Sequence, residues 1–303
     1  MELQWPLILF TFFLSLCGGT MAVQGLLTLM GVGKKMQNAS LIVSAVSLVV
    51  GGVAVFMHLE HWERIFNAFG SLLAGNGTAV SGITLELWFC VLFALMLVLY
   101  FLFMRRSEDG MAPKWCAVLA IVIGLALPAA TGDSYLMPSI PAWNTPLLIV
   151  YYVCNAVLLG GLVATVIAFM SKDTAAYATT AKVALAGGVV TLIVVVAYAA
   201  VINSFGQFGT IDYYFDPVHP DTPMVDSAAV NASILTGSQA APFWGLAVVV
   251  GLVAPIALAF IAQRGDKPRD LPLAGTALAC AVVGSFAWRC ILYVVAISIF
   301  ALF

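Results

Sequence analysis

Long apolar runs separated by polar connections recur along the whole chain. Eight of them reach the length of about 20 residues that an α-helix needs to cross a bilayer. They lack the alternation of apolar and polar positions that is typical of a transmembrane β-strand. The pattern therefore predicts an all-α polytopic membrane protein, a bundle of eight transmembrane helices at about residues 5–30, 40–59, 83–104, 115–132, 147–170, 182–203, 242–263 and 271–300.

The predicted helices are joined by short connections, except for an aspartate-rich stretch at about residues 205–240. We find no internal repeat, and we interpret residues 1–303 as a single integral membrane domain with this stretch as a long outer loop. Small residues let neighbouring helices approach closely in a membrane. Paired glycines therefore predict close packing points, at Gly18 and Gly19, Gly51 and Gly52, Gly160 and Gly161, and Gly187 and Gly188.

Composition excludes several classes of function. The chain is 63% hydrophobic and 9% charged, against roughly 25% charged residues in a soluble domain, so a water-soluble fold is excluded. The net charge of −2 comes without a polybasic cluster, and we expect no nucleic-acid partner. Three histidines and six scattered cysteines supply neither two bis-histidine haem sites nor an iron–sulfur cluster. If electrons pass through the protein, other subunits carry their metal centres.

The distribution of basic residues predicts the orientation. The first, third, fifth and seventh connections carry ten of the twelve Lys and Arg residues. Basic connections face the cytoplasm in membrane proteins. Both termini and the long loop are therefore predicted to lie outside. The ten residues are Lys34, Lys35, Arg105, Arg106, Lys114, Lys172, Lys182, Arg264, Lys267 and Arg269.

Ionisable residues from separate helices are predicted to meet near the outer surface. The run at 58–64 ends the second helix and holds His58 and Arg64, and Glu86 begins the third helix. Arg289 lies roughly 27 Å along the eighth helix, at 1.5 Å per residue, and so also in the outer half. A charge within the bilayer costs about 2.5–3.5 kcal/mol. We therefore expect Arg289 to have a partner such as Glu86, Asp133 or a ligand oxygen.

Histidine, glutamate and arginine at one depth suit the oxidation of a quinol. Two protons leave the quinol with its electrons, and imidazole and carboxyl groups are suitable acceptors. Ordinary alternatives exist for each residue. Residues 60–64 are typical of a solvated interfacial turn, His58 and Glu86 suit structural hydrogen bonds equally well, and His58 with His61 makes a weak metal site. Tryptophans near predicted helix ends, including Trp143, are typical of an interfacial aromatic belt.

The order of several short motifs resembles the membrane anchor subunits of dimethyl sulfoxide reductase and its close relatives. The similarity spans most of the chain. Its elements are Trp5-Pro6-Leu7 before Phe10-Thr11 and the Gly18-Gly19 pair; Met57-His58-Leu59, Arg64 and Phe66-Asn67; Glu86; Tyr135 before Pro141, Trp143 and Thr145-Pro146; and Arg289 followed by Tyr293.

This resemblance implies a prokaryotic cytoplasmic-membrane protein that oxidises menaquinol near the outer face and contains no haem. Its partners would be an iron–sulfur electron-transfer subunit and a molybdopterin catalytic subunit. His58 and Glu86 match the menaquinol-site histidine and glutamate, and Arg64 matches a position close to that site. We therefore predict His58 and Glu86 as catalytic proton acceptors, and add Arg64 and Arg289 as quinone-binding residues.

The chain also departs from the family pattern. Glu60-His61-Trp62 replaces Gly-Ser-Pro after the His-Leu pair, Ser285 replaces a glutamate four residues before Arg289, and Gly245 replaces an arginine. A quinone-binding anchor of the polysulfide-reductase type is the nearest alternative. A secondary transporter is a more distant one, since we see no inverted repeat, and a haem-carrying cytochrome is the third.

Overall fold

The computed structural model describes residues 3–58, 61, 67, 82–205, 227–264 and 271–297. Within them, eight helices are long and apolar enough to cross a membrane, and no strand occurs in these ranges. The predicted all-helical architecture is confirmed. In chain order the helices are α1 (Trp5–Leu29), α2 (Gln37–His58), α3 (Gly82–Arg106), α4 (Lys114–Asp133), α5 (Leu147–Met170), α6 (Thr174–Phe205), the short α7 (Ser227–Ala232), α8 (Ala241–Gln263) and α9 (Leu271–Val294).

Proline and glycine mark several helix ends. Pro113 and Pro146 directly precede α4 and α5, where a missing N–H costs nothing because the first turn has no acceptor for it. After α1, Gly31 and Gly33 adopt φ angles of 73° and 77°, a conformation that glycine reaches without strain. These residues turn the chain toward α2.

Two of the predicted boundaries differ from the structure. Helix α6 begins at Thr174, not near residue 182, because Ala176 and Tyr177 are buried against the end of α5 and extend the helix beyond its apolar run. The predicted outer loop at 205–240 contains α7 within its described part. Residues 206–226 of that loop lie outside the described ranges.

Helix α1 occupies the centre of the bundle and packs against α2, α4 and α5. Glycines permit this approach. A Cβ atom on Gly18 would overlap the backbone of Gly124 in α4, and one on Gly19 would overlap the backbone of Ala156 in α5. The prediction of close packing is confirmed for these two glycines.

The other glycine pairs give mixed results. Gly160 and Gly161 of α5 and Gly187 of α6 all stand against the backbone of a neighbouring helix, so the prediction is confirmed there as well. It is wrong for Gly52, because no atom lies within 4 Å of where its Cβ would stand. That glycine sits at an open position of α2.

Helices α2 and α3 lie at the edge of the bundle and expose long apolar faces. Ile42 and Val46 of α2 and Val98 and Leu102 of α3 are all exposed, as expected for side chains that contact lipid. The main core lies instead between α1, α5, α6, α8 and α9. A ligand that enters between α2 and the core is therefore close to the lipid phase.

The two ends of the bundle differ in charge. Five basic residues lie in or next to the connections at the end where α1, α3, α5 and α8 finish: Lys34, Arg105, Lys114, Lys172 and Arg264. The opposite end carries the start of α1 and the end of α9. We refer to these as the basic end and the opposite end. The side of the membrane that each end faces stays a prediction from the charge pattern.

Candidate functional site

A cavity of about 390 Å³ lies at the opposite end of the bundle. The starts of α1 and α3 and the ends of α2 and α9 contribute to it, together with the connection between α4 and α5. Its volume falls in the range of about 300–1,000 Å³ that is typical of small-molecule sites. Apolar side chains, polar groups and aromatic rings line it: Leu7, Phe10, Val55, Ile83, Met137 and Ile140; Gln4, Thr11, His58, Glu86 and Ser134; and Tyr135, Trp143 and Tyr293.

His58 and Glu86 line this one cavity from two different helices. His58 is the last residue of α2 and is exposed. Glu86 lies near the start of α3 and is only 5% exposed. The structure therefore brings together the two residues that the sequence singled out for proton transfer, one at the accessible side of the cavity and one in its wall.

The carboxyl group of Glu86 is incompletely satisfied. Its Oε1 atom is buried and has no hydrogen-bond partner among the described residues. The hydroxyl groups of Thr131 and Ser134 face the carboxyl group, but they donate instead to the backbone carbonyls of Leu127 and Thr131. Buried polar atoms are nearly always paired. An orphaned oxygen on a cavity wall is therefore available to a bound ligand.

An aromatic wall faces this carboxyl group. The hydroxyls of Tyr135 and Tyr293 lie 3.2 Å apart, and the Trp143 indole nitrogen donates to the carbonyl of Leu292 at 2.9 Å. Burial raises the pKa of Tyr135 well above its ordinary value. Tyr135 therefore keeps its proton and remains a hydrogen-bond donor beside the cavity.

The sequence did not assign these aromatic residues to the site. Tyr135 and Tyr293 are 158 positions apart, and no local pattern links them. The aromatic-belt interpretation is wrong for Trp143, which is only 6% exposed. Tyr135, Trp143 and Tyr293 are among the residues that carry the resemblance to the anchor family. That resemblance was the available signal, but it did not indicate that their side chains meet.

Arg289 is buried behind the cavity and is held by neutral groups. It is 1% exposed and is not among the residues that line the cavity. Its guanidinium donates six hydrogen bonds of 3.0–3.3 Å, whose acceptors belong to Thr11, Ser15, Tyr151, Asn155 and Ser285. The central carbon of the guanidinium, Cζ, also lies 5.1–5.8 Å from three ring centroids, the nearest being that of Tyr152.

Neither Glu86 nor Asp133, the carboxylates that we expected as partners, is among these acceptors. Two helices supply polar oxygens, Thr11 and Ser15 from α1 and Tyr151 and Asn155 from α5. Together they satisfy the guanidinium, and no carboxylate pairs with it in the part of the chain that the structure describes. Thr11 also lines the cavity. Arg289 therefore contacts the site through the hydroxyl of Thr11.

The remaining predicted residue, Arg64, lies outside the described residues. His61 is described as an exposed turn residue. No group of three or more His, Cys, Asp or Glu side chains that could hold a metal ion occurs in the described ranges. The described site thus offers an imidazole, a carboxyl group and phenolic hydroxyls around an apolar space.

Comparison with known protein families identifies a match over almost the whole chain. The sequence model of a protein family described as DMSO reductase anchor subunit (DmsC) matches residues 1–295. No curated protein matches the chain significantly.

Proposed function

The chain belongs to the family of DMSO reductase anchor subunits, and from this premise we propose that its cavity binds menaquinol and is the place where the quinol is oxidised. The protein is a multi-pass membrane anchor of a DMSO reductase-type complex. Quinol oxidation would give this anchor its part in the chemistry, since the terminal reduction takes place in another subunit.

The observation that carries the proposal is the shared cavity of His58 and Glu86. A quinol headgroup is a flat, mostly apolar ring with two polar oxygens. The cavity offers apolar walls together with an unpaired carboxyl oxygen and aromatic hydroxyls. These features fit such a headgroup, and the exposed apolar faces of α2 and α3 would accommodate its isoprenoid tail.

When bound, menaquinol supplies two electrons and two protons. His58 would accept one proton at an imidazole nitrogen and, because it is exposed, would release it to water. The carboxyl group of Glu86 would accept the second proton, and the hydroxyls of Tyr135 and Tyr293 would hold the headgroup in place. Trp143 would fix the wall through its hydrogen bond to Leu292. We include Arg64 as a headgroup-positioning residue and Arg289 as a residue that positions Thr11.

The electrons would pass to an iron–sulfur subunit docked at the same end of the bundle, and from there to a molybdopterin catalytic subunit. The charge pattern predicts that this end faces outward. Protons released by His58 would then leave on the outer side of a prokaryotic cytoplasmic membrane.

Two substitutions in the assembled complex test this proposal. We expect His58→Ala and Glu86→Gln each to lower the rate of menaquinol-driven reduction by about a hundredfold or more, which is the usual effect of removing an acid–base group. Rates with a reduced viologen dye, which donates directly to the soluble subunits, should not change. Met57→Ala is the matched control, because Met57 adjoins His58 but is 78% exposed and does not line the cavity.

Full menaquinol-driven rates in both variants, with normal assembly, would refute the proposal. A parallel loss of the viologen-driven rate would show that the variant disturbs assembly instead of quinol oxidation. Binding of a fluorescent quinone analogue gives a second readout, since Glu86→Gln preserves the shape of the side chain and should weaken binding much less than it slows turnover.

A further inference from the structure

A second cavity, of about 280 Å³, lies at the basic end of the bundle, far along α2 and α3 from the first. It opens between the α1–α2 connection and the end of α3. Its lining residues are Lys34, Gln37, Asn38, Met104, Arg105, Ser107 and Gly110. Neither quinol binding nor anchoring of partner subunits accounts for it.

Two cations line this cavity without an ion pair to any described residue. Lys34 and Arg105 are both exposed, and no carboxylate pairs with either of them within the described ranges, although Glu108 and Asp109 follow Arg105 closely in sequence. The guanidinium of Arg105 lies 5.2 Å from the centre of the Phe101 ring. This contact directs the charge toward the lipid-facing side of α3.

The position of Lys34 is shaped by Gly110. That glycine has a φ of 64°, and a Cβ atom there would stand 3.3 Å from Cε of Lys34. The absence of a side chain therefore leaves room for the lysine to reach across from one connection to the other.

Gln37 also lines this cavity, and hydrogen bonds hold its side chain in place. Its side-chain oxygen accepts from the Tyr100 hydroxyl at 3.2 Å and from the backbone N–H of Ala112 at 3.0 Å. Its nitrogen donates to the carbonyls of Gly110 at 3.0 Å and Lys34 at 3.3 Å. A buried network with every member satisfied is stiff, so the two connections and their charges are held in place before any ligand arrives.

We propose that this cavity binds the phosphate group of an anionic phospholipid. Lys34 and Arg105 supply the positive charge, and the side chains of Asn38 and Ser107 supply neutral donors. Basic pockets between helices on the cytoplasmic side bind such headgroups in other membrane proteins. Below the cavity, the exposed faces of α2 and α3 are apolar, which suits acyl chains and would offer nothing to free phosphate. The same donors nevertheless suit inorganic phosphate, and the experiment separates the two sources.

The test compares two double variants of the full chain in dodecyl maltoside micelles. K34Q/R105Q removes the two charges of the cavity. K35Q/R106Q removes the two neighbouring charges, which are also exposed but do not line the cavity. Thermal stability is measured during titration with phosphatidylglycerol, phosphatidylcholine and inorganic phosphate, and the apparent affinity is taken from the stabilisation.

We expect phosphatidylglycerol to stabilise the wild type and K35Q/R106Q with affinities within about threefold of each other. K34Q/R105Q should bind about twenty-five-fold more weakly, at about fivefold for each basic contact. Equal losses in the two double variants would overturn the proposal, as would equal stabilisation by phosphatidylcholine. If inorganic phosphate stabilises the protein and phosphatidylglycerol does not, the ligand is free phosphate and the proposed lipid is wrong. If K34Q/R105Q does not purify, the single variants K34Q and R105Q should each lose about fivefold.

Discussion

The neutral groups around Arg289 should carry a measurable share of the stability of the bundle, and Asn155→Ala tests this. Asn155 accepts from Arg289 at 3.3 Å and donates to Ser285 at 3.0 Å. A hydrogen bond to a charged group contributes about 1.5–3 kcal/mol and a neutral one about 1 kcal/mol. We therefore expect the loss of these two hydrogen bonds in Asn155→Ala to lower the free energy of unfolding by about 3 kcal/mol. The cavity left by the smaller side chain adds a further cost, which is the same whether or not Arg289 is present.

In an Arg289→Leu background the charge is absent, and Asn155→Ala should cost about 2 kcal/mol less than it does in the wild type. The measurement is a double-mutant cycle by reversible unfolding in mixed micelles. Thr165→Val is the matched control, because Thr165 lies on the same helix and makes a buried neutral hydrogen bond to Thr180 at 3.0 Å. Its cost should be the same in both backgrounds within about 0.5 kcal/mol.

A coupling below about 0.5 kcal/mol between Asn155 and Arg289 would refute this reasoning. It would mean that the guanidinium does not depend on the neutral acceptors, and that a charge or ligand outside the described residues satisfies it.

Two further predictions concern packing and the cavity wall. Gly19→Ala should destabilise the protein by about 1–3 kcal/mol in thermal unfolding, because the added Cβ would overlap the Ala156 backbone. Gly52→Ala is the control and should be neutral or slightly stabilising, since nothing lies within 4 Å of its Cβ position. Equal effects of the two substitutions would contradict the packing argument. Tyr135→Phe removes one neutral donor and should raise the KM for menaquinol about fivefold with kcat nearly unchanged. An unchanged KM would remove Tyr135 from the headgroup site.

The sequence was sufficient to predict the helices and the position of His58 and Glu86 at the same end of the bundle, where both line one cavity. Membrane-length apolar runs dictate the helices, because backbone groups in lipid must be hydrogen-bonded within the segment. The end of one membrane-spanning helix and the start of the next lie at the same surface, so two ionisable residues at those positions share one end of the bundle for a purely topological reason. Nothing comparable constrains residues on distant helices.

That is why the partners of Arg289 and the aromatic wall could not be predicted. Thr11 and Asn155 are ordinary polar residues in apolar runs, and their depth along a helix does not indicate which helix they face. Trp143 at a helix end looks the same in sequence whether it contacts lipid or the core. Gly52 likewise cannot be told from its packed neighbour Gly51, because the choice depends on which side of α2 faces the bundle.

The separation of Arg289 from Glu86 has a consequence for proton transfer. An ion pair between them would hold the carboxylate in its charged form and remove it as an acceptor that changes protonation during turnover. In the described part of the chain no such pair forms, because the guanidinium is satisfied by neutral oxygens of α1 and α5. The charge can therefore hold the helices together beside the cavity without occupying the carboxyl group of Glu86, as the proposed role of Glu86 in proton transfer requires. Substitutions at Arg289 and its acceptors should accordingly act mainly on stability, and those at Glu86 on turnover.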